Sequence, residues 1–366
     1  MLSRIKTPQL TEIATLFLKL GTISFGGPAA HIALMEDEVV RRRRWLSHEE
    51  FMDLIGATNL IPGPNSTEMA IHIGLRRAGW AGFLVAGGCF ILPATVIVTF
   101  CAWLYVRYGS LPEAGALLYG VKPVMIAVVL QALWALGRAA LKTKTLLLLA
   151  AAAAILNFLG VNELVILFGA GLLFAFTRSS FVRKSQTQCF SLAPLFLFFL
   201  KTGSVLFGSG YVLLAFLRAD LVERWHWLSE GQLLDAIAVG QFTPGPVFTT
   251  ATFIGYILGR TPGAIVATLG IFLPAFIFVA LSGPFIPRIR RSETAGAFLD
   301  AVNASSLALM AVVTWQLGHS AVVDVTSLVL AVAGAIVLFR FRVNSAWLVL
   351  GGALVGLTAK LWINAG

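Results

Sequence analysis

The chain has 366 residues, a net charge of +10 and three cysteines, with 58% of its residues hydrophobic and only 12% charged. A soluble chain of this size needs more charge to cover its surface, so the composition excludes a water-soluble globular domain. The positive charges sit in short loops between apolar runs, where they set membrane orientation, and no nucleic acid is expected as a partner.

The first ten residues hold Arg4, Lys6 and Pro8, and the apolar stretch that follows contains Lys19 and a Gly26-Gly27-Pro28 break. It reads as a first membrane span, not a cleaved signal. From Phe51 to Leu60 there is enough helix for about 15 Å, half a bilayer, before Pro62-Gly63-Pro64, and Asn65 to Leu75 can return the same distance. That broken element either crosses or dips to the midplane and comes back. Phe83–Tyr105, Leu146–Phe176 and Ala264–Ser282 carry almost no charge over lengths that match a hydrocarbon core of roughly 30 Å. Arg340 and Arg342 mark a turn in the last apolar run, because two arginines are costly within hydrocarbon, and Asn157–Glu163 is the corresponding turn earlier in the chain. Cys89 and Cys101 lie in apolar runs and Cys189 in a basic linker. That pattern indicates neither a disulfide framework nor a metal site, and no cofactor is expected.

The chain is duplicated. Phe17-Leu18-Lys19 recurs as Phe199-Leu200-Lys201, Trp45-Leu46-Ser47 as Trp227-Leu228-Ser229, Asp53 as Asp235 and Pro62-Gly63-Pro64 as Pro244-Gly245-Pro246, all at an offset of 182 residues. After a one-residue deletion, Leu92-Pro93-Ala94 matches Leu273-Pro274-Ala275, and Trp134 and Gly137 match Trp315 and Gly318. Shared apolar bias repeats Leu and Val; it does not repeat Pro-Gly-Pro and Trp-Leu-Ser in register. The expected layout is a first repeat over 1–178, a basic linker over 179–192 and a second repeat over 193–366.

Loop charges favour the re-entrant form of the broken element. With the N-terminus outside and five crossings per repeat, Arg41–Arg44, Arg76, Arg77, Arg138, Lys142, Lys144, Arg178, Arg183, Lys184, Arg288, Arg290, Arg291, Arg340 and Arg342 share one side, as the positive-inside rule expects. The other side keeps Arg4, Lys6, Arg107, Arg218, Arg224 and Arg260. An odd number of crossings turns the second repeat upside down relative to the first, the plan of many secondary transporters. The expected fold is an all-α polytopic membrane protein of two inverted repeats, each with about five transmembrane helices and a re-entrant hairpin broken at Pro-Gly-Pro.

Such breaks place helix N-termini at mid-depth. Proline removes donors before the break and Gly63 permits the turn, so a half-helix starts at Asn65 or Ser66 with free N–H groups and a positive dipole end. Gly245 and Pro246, followed by Val247–Thr250 with Thr249 among them, repeat this from the other face. Two opposed N-termini would cradle an anion; the plainer reading is a kink. Lys19 and Lys201 lie two helical turns before Gly-containing breaks and are candidate cations, with snorkelling to the interface as the alternative. Lys122 is a further cation, but its counterpart is Asn303, so a symmetric role fails. Glu68 stands three residues after Asn65, the spacing of a capping box, and capping is favoured over proton coupling. Asp53 and Asp235 are expected to pair with loop arginines, with gating as an option. Asn59 and Gln241, just before the breaks, could donate to an oxyanion or satisfy frayed helix ends. His31 and His72 are expected to pack or to make local hydrogen bonds.

The motifs resemble the chromate ion transporter family. The matching stretches are Phe-Gly-Gly-Pro-Ala-Ala-His at 25–31, Asn-Leu-Ile-Pro-Gly-Pro-Asn-Ser at 59–66, Phe-Gly-Ser-Gly-Tyr at 207–211 and Gln-Phe-Thr-Pro-Gly-Pro-Val-Phe-Thr-Thr at 241–250. The resemblance implies a multi-pass protein of the bacterial plasma membrane that expels chromate and confers resistance, with sulfate or another anion, or a channel on the same scaffold, as alternatives. It carries over Gly26, Gly27, Pro28, Pro62, Gly63, Pro64, Gly208, Gly210, Pro244, Gly245 and Pro246. Assembly as a homodimer is left open. No G-x-x-x-x-G-K-[ST] run is present to bind ATP, and no matched His/Asp pair or activated nucleophile points to an enzyme.

Overall fold

The computed structural model describes residues 7–25, 27–58, 61–109, 112–141, 143–159, 161, 165–166, 169, 190–206, 213–282, 293–341 and 345–365. Among them the first repeat forms α1 (Thr7–Ile23), α2 (Gly27–Glu36, running on as π-helical Asp37–Arg42), α3 (His48–Thr58), α4 (Asn65–Tyr108), α5 (Pro112–Ala140) and α6 (Lys144–Phe158). The second forms α7 (Leu192–Val205), α8 (Leu213–Leu217, running on as π-helical Arg218–Arg224), α9 (Glu230–Phe242), a 3-10 turn (Val247–Thr249) leading into α10 (Thr250–Ser282), α11 (Glu293–Ala321), α12 (Val325–Phe341) and α13 (Ser345–Ala365).

The duplication extends to the backbone. Arg44 and His226, each preceding the Trp of Trp-Leu-Ser, have φ of 51° and 53°. The Ser that follows opens a reciprocal cap in both repeats. In α3 the Ser47 N–H donates to Glu50 (2.8 Å) and the Glu50 N–H to Ser47 Oγ (3.1 Å); in α9 Ser229 and Gln232 do the same at 2.9 and 3.1 Å. The Ser47 N–H, and then its hydroxyl, hold the exposed Glu50 carboxyl below the usual carboxylate range.

The chain divides into two compact units, each drawing on both repeats: residues 1–103, 191–210 and 239–290 form one, and residues 104–190, 211–238 and 291–366 the other. In the first unit α4 is not one rod. Ala78 and Gly79 leave helical geometry (φ −142° and 60°), and beyond them the chain reverses, so that Gly74 and Gly82 meet backbone to backbone. The two arms, α4a (65–77) and α4b (79–108), therefore run antiparallel. In α10 Gly259 and Arg260 make the same reversal (φ −136° and 54°), and Gly255 meets Gly263. Arg260 holds, with a side chain, the left-handed backbone that Gly79 holds without one. Arg260→Gly is expected to raise stability by about 1 kcal/mol; an unchanged or lowered midpoint in thermal denaturation in detergent would contradict strain at this position.

The stretch after residue 10, expected as one crossing span, folds back on itself instead. A continuous helix would hold Lys19 and Glu38 about 28 Å apart, yet Lys19 Nζ lies 2.8 Å from Glu38 Oε1. Gly27 makes the reversal possible with φ of 80°. Arg77 donates to Glu12 (3.3 Å) near the start of α1. The guanidiniums of Arg77 and Arg43 both lie against the Trp45 ring, 5.0 and 5.3 Å from its centroid. The start of α1, the end of α2, the start of α3 and the end of α4a thus gather at one end of this unit. The expectation that the N-terminus faces away from Arg76 and Arg77 is corrected: the first turns of α1 lie beside Arg77. Arg4 and Lys6 are outside the described residues.

Helix α4b exposes Leu84, Leu92, Val96 and Phe100 along one face, and α10 exposes Ile265, Leu273, Ile277 and Leu281 at the matched positions. Trp80 and Trp103, also exposed, bracket the α4b stripe about 34 Å apart, the spacing of aromatic residues at two membrane interfaces. These stripes face lipid. Together with the apolar α11 they are the described helices long enough to cross a membrane.

In the second unit α5 packs against α11, α12 and α13. Gly120 lies directly on the backbone of Gly352 and Gly356, the small-residue contact by which helices approach closely in lipid. Asp324 caps α12 by accepting the Ser327 N–H (2.8 Å), and it also accepts the Tyr119 hydroxyl (2.6 Å). The Tyr119 hydroxyl first, and then the Ser327 N–H, hold its carboxyl below the usual range.

Candidate functional site: the paired Pro-Gly-Pro breaks

Both breaks lie in the first unit, and each is anchored on a helix end of the other repeat. The Gly63 N–H donates to Leu206 O (2.6 Å), and the Gly245 N–H donates to Ser24 O (2.9 Å). Ser24 and Leu206 are matched positions that end α1 and α7. The exchange is reciprocal: each repeat's break is closed by the other repeat's hairpin. Glycine is required in both places, with φ of 140° at Gly63 and 91° at Gly245. A Cβ on Gly245 would stand 2.5 Å from Ala94 Cβ and 3.2 Å from Gly21 O.

Beyond each break a half-helix begins. The Thr67 and Glu68 N–H groups donate to Pro64 O (2.8 and 3.0 Å). In the other repeat the Thr249 N–H and hydroxyl donate to Pro246 O (3.0 and 2.8 Å) and the Thr250 hydroxyl to Val247 O (2.8 Å). This second half-helix starts with a tighter 3-10 turn. The surroundings are buried and polar: Ser24, Ser66, Thr67, Glu68, His72, Gln241, Thr243, Thr249 and Thr250 are all withdrawn from the surface. Among these, Ser24 Oγ, Thr67 Oγ1, His72 Nε2, Gln241 Nε2 and both Glu68 oxygens have no hydrogen-bond partner. Buried polar groups are normally satisfied, so such a concentration makes the breaks the candidate site. Ser24 O also meets His31 Nε2 at 3.1 Å. A carbonyl only accepts, so the ring proton sits on Nε2, and His31 makes the local bond expected of it.

The structure brings together Pro62, Gly63, Pro64, Asn65 and Ser66 with Gln241, Pro244, Gly245, Pro246 and Thr249 in one unit. Gly26, Asn59, Gly208 and Gly210 are outside the described residues, while Gly27 opens α2. Lys19 is engaged by Glu38, which also takes Arg43 (3.3 Å) and lies 3.7 Å from Arg42; the lysine belongs to a charge network that closes the α1–α2 hairpin. Lys201 Nζ lies 5.6 Å from the centre of the Phe198 ring. The capping box expected of Glu68 is not formed: its oxygens accept nothing, because the helix starts on the Pro64 carbonyl and the carboxylate turns back onto Gly63.

Asp53 is exposed in the middle of α3. Asp235, expected to meet a loop arginine, instead accepts the Tyr105 hydroxyl (2.8 Å) and sits 3.2 Å from Lys122 Nζ. The pair joins α9 to helices of the first repeat within the second unit. Lys122→Met alone is expected to cost about 3 kcal/mol by leaving the buried Asp235 charge unmatched, and Asp235→Asn less, because Lys122 keeps 24% of its side chain exposed. The double change should cost much less than the sum, and additive losses in denaturation midpoints would contradict the pairing. Glu38 and Asp220 were missed in the sequence, although both are acids at matched positions, and both are buried.

Two repeats of helices with lipid-facing stripes and a polar core at paired helix breaks define a multi-pass membrane transport protein. The sequence profile of the family described as "Chromate transporter" matches residues 11–175 and again 193–357. The chain belongs to that family. It is 30% identical over 376 residues to the chromate transport protein of Cupriavidus metallidurans, covering 96% of this chain and 94% of that protein. It is 30% identical over 375 residues to the chromate transport protein of Pseudomonas aeruginosa, covering 93% and 90%. An uncharacterised transporter of Bacillus subtilis matches 34% of this chain but 71% of its own length, at 30% identity over 126 residues. No solved structure matches the chain.

Proposed function

We propose that the protein is a secondary transporter that exports chromate, a tetrahedral oxyanion dianion, across the bacterial plasma membrane and so confers chromate resistance. The observation that carries this reading is the reciprocal anchoring of the two Pro-Gly-Pro breaks in a chain whose two repeats both match the chromate transporter family. The anion meets the half-helix N-termini at Asn65–Ser66 and Val247–Thr249, where N–H donors and dipole ends replace part of its hydration. Lys19 and Lys201 supply positive potential nearby. Asp53 and the Lys122–Asp235 pair act as gating elements. A homodimer is the assembly we favour.

The repeats run in opposite senses across the membrane. Phe83, near the start of α4b, packs on Phe276, late in α10, with ring centroids 5.5 Å apart. A parallel pair would hold those levels about 18 Å apart. An odd number of crossings does not support the inversion, because α1 and α2 fold back; this packing does. The segment from Trp45 to Arg77, whose ends touch, is the re-entrant hairpin.

Export agrees with the energetics. One charge moving through 100 mV is worth about 2.3 kcal/mol, so a dianion leaving an inside-negative cell gains roughly 4.6 kcal/mol. Chromate-loaded proteoliposomes held negative inside are expected to empty faster than depolarised ones, with saturation and competition by sulfate. Equal rates at both potentials would remove electrogenic export, and unsaturable flux would favour a channel.

A further inference from the structure

Glu68 is fully buried, neither carboxylate oxygen has a hydrogen-bond partner, and Oε1 occupies the space that a Cβ on Gly63 would take. An ionised carboxylate in that position has no compensation, and burying a bare charge in a low-dielectric site costs several kcal/mol. The elements around it supply no counter-ion. On α4a the other titratable groups are His72, one turn on, Arg76, and Arg77, which is engaged by Glu12. Asp53 and the exposed His48, Glu49 and Glu50 lie on α3, Lys201 on α7, and Tyr256 and Arg260 on α10, the helix whose Ala275 packs over Gly63. None of them is bonded to the Glu68 carboxyl. The matched position in the second repeat is Thr250, whose hydroxyl is satisfied by Val247 O. The acid therefore belongs to one break only.

We propose that Glu68 is a proton-binding site linked to oxyanion occupancy, carrying its proton in the arrangement seen here. The inference rests on the reading of the paired breaks as the oxyanion site. An ionised Glu68 competes with an oxyanion for the same half-helix N-terminus, whereas a neutral one does not. Oxyanion binding therefore draws a proton onto Glu68 and, by reciprocity, protonation tightens oxyanion binding. A dianion that moves with this proton carries one net negative charge, so transport remains electrogenic.

The test uses the purified full chain in detergent at mildly alkaline pH, where chromate in solution is a dianion. Proton uptake on adding chromate is followed with a pH indicator in weak buffer, beside chromate binding and infrared spectra. Across a pH series, wild type is expected to take up about one proton per chromate bound where Glu68 is ionised in the chromate-free chain, and none where it already holds its proton. Wild-type affinity should fall roughly tenfold per pH unit above the site's titration. Glu68→Gln, which fixes the neutral form, should bind chromate with no proton uptake and a flat pH profile. Chromate binding by wild type without proton uptake and with an unchanged affinity at every pH of the series would overturn the linkage while leaving the oxyanion site intact. If wild type binds no chromate, the substrate reading fails, and infrared decides the proton site: the C=O stretch of a protonated carboxyl, present in wild type and lost in Glu68→Gln, upholds it, and no difference between the two overturns it.

Discussion

Gly245→Val is expected to abolish oxyanion transport, with a cost to folding of about 3 kcal/mol or more. Two penalties combine at this position. The backbone sits at φ of 91°, which a β-branched residue adopts only at a cost of about 1–3 kcal/mol. The new side chain also enters space already held by Ala94 and the Gly21 carbonyl, where overpacking adds a similar amount. The hydrogen bond from Gly245 to Ser24 cannot survive that shift, so the second break separates from the first repeat's hairpin. Gly245→Ala is the milder companion: a loss of flux of at least about tenfold with folded protein recovered, since a strain of 1.4 kcal/mol already corresponds to that factor. Chromate flux by the Ala variant equal to wild type would show that the closed break is not needed for transport.

Gly120→Val is expected to prevent recovery of folded protein altogether. The Cβ of any residue at 120 would fall on the carbonyl of Gly352 and close to the backbone of Gly356. Backbone cannot rotate away as a side chain can, so α5 and α13 must separate, and in lipid no hydrophobic force recovers the lost packing. Gly351→Val, one residue from the contact and facing open space, should express and purify like wild type. Similar size-exclusion profiles for the two variants would mean that the α5–α13 contact is dispensable.

The membrane class, the duplication and the two breaks were legible because each rests on residues with local consequences. Proline removes donors, glycine admits unusual φ, and twenty apolar residues have few places to go. The fold-back of α1 onto α2 was not legible. Gly27 permits it, but what holds it is a long-range ion pair between Lys19 and Glu38 with the gathering of Glu12, Arg77, Trp45 and Arg43, and no local pattern announces which lysine meets which glutamate. The same limit applies to Asp235: its place near the start of the second broken element suggested a loop arginine as partner, while packing supplied Lys122 and Tyr105. Glu68 was misread for a different reason. The spacing from Asn65 fits a capping box, but a cap needs a free N–H in reach, and the Pro64 carbonyl already organises that turn. The reversals at Gly79 and Arg260 also escaped notice, since an arginine at the second site hid the match to a glycine.

The central claim is that the two breaks jointly hold the oxyanion. Its most direct test is alkylation of single cysteines at the matched half-helix starts, Asn65→Cys and Val247→Cys, in a chain whose Cys89, Cys101 and Cys189 are replaced by alanine and which still transports. Chromate is expected to slow the reaction of a small maleimide at both positions, over the concentration range in which it saturates flux. Unchanged reaction rates at both positions, with chromate still transported, would contradict the account and place the oxyanion's path elsewhere in the protein.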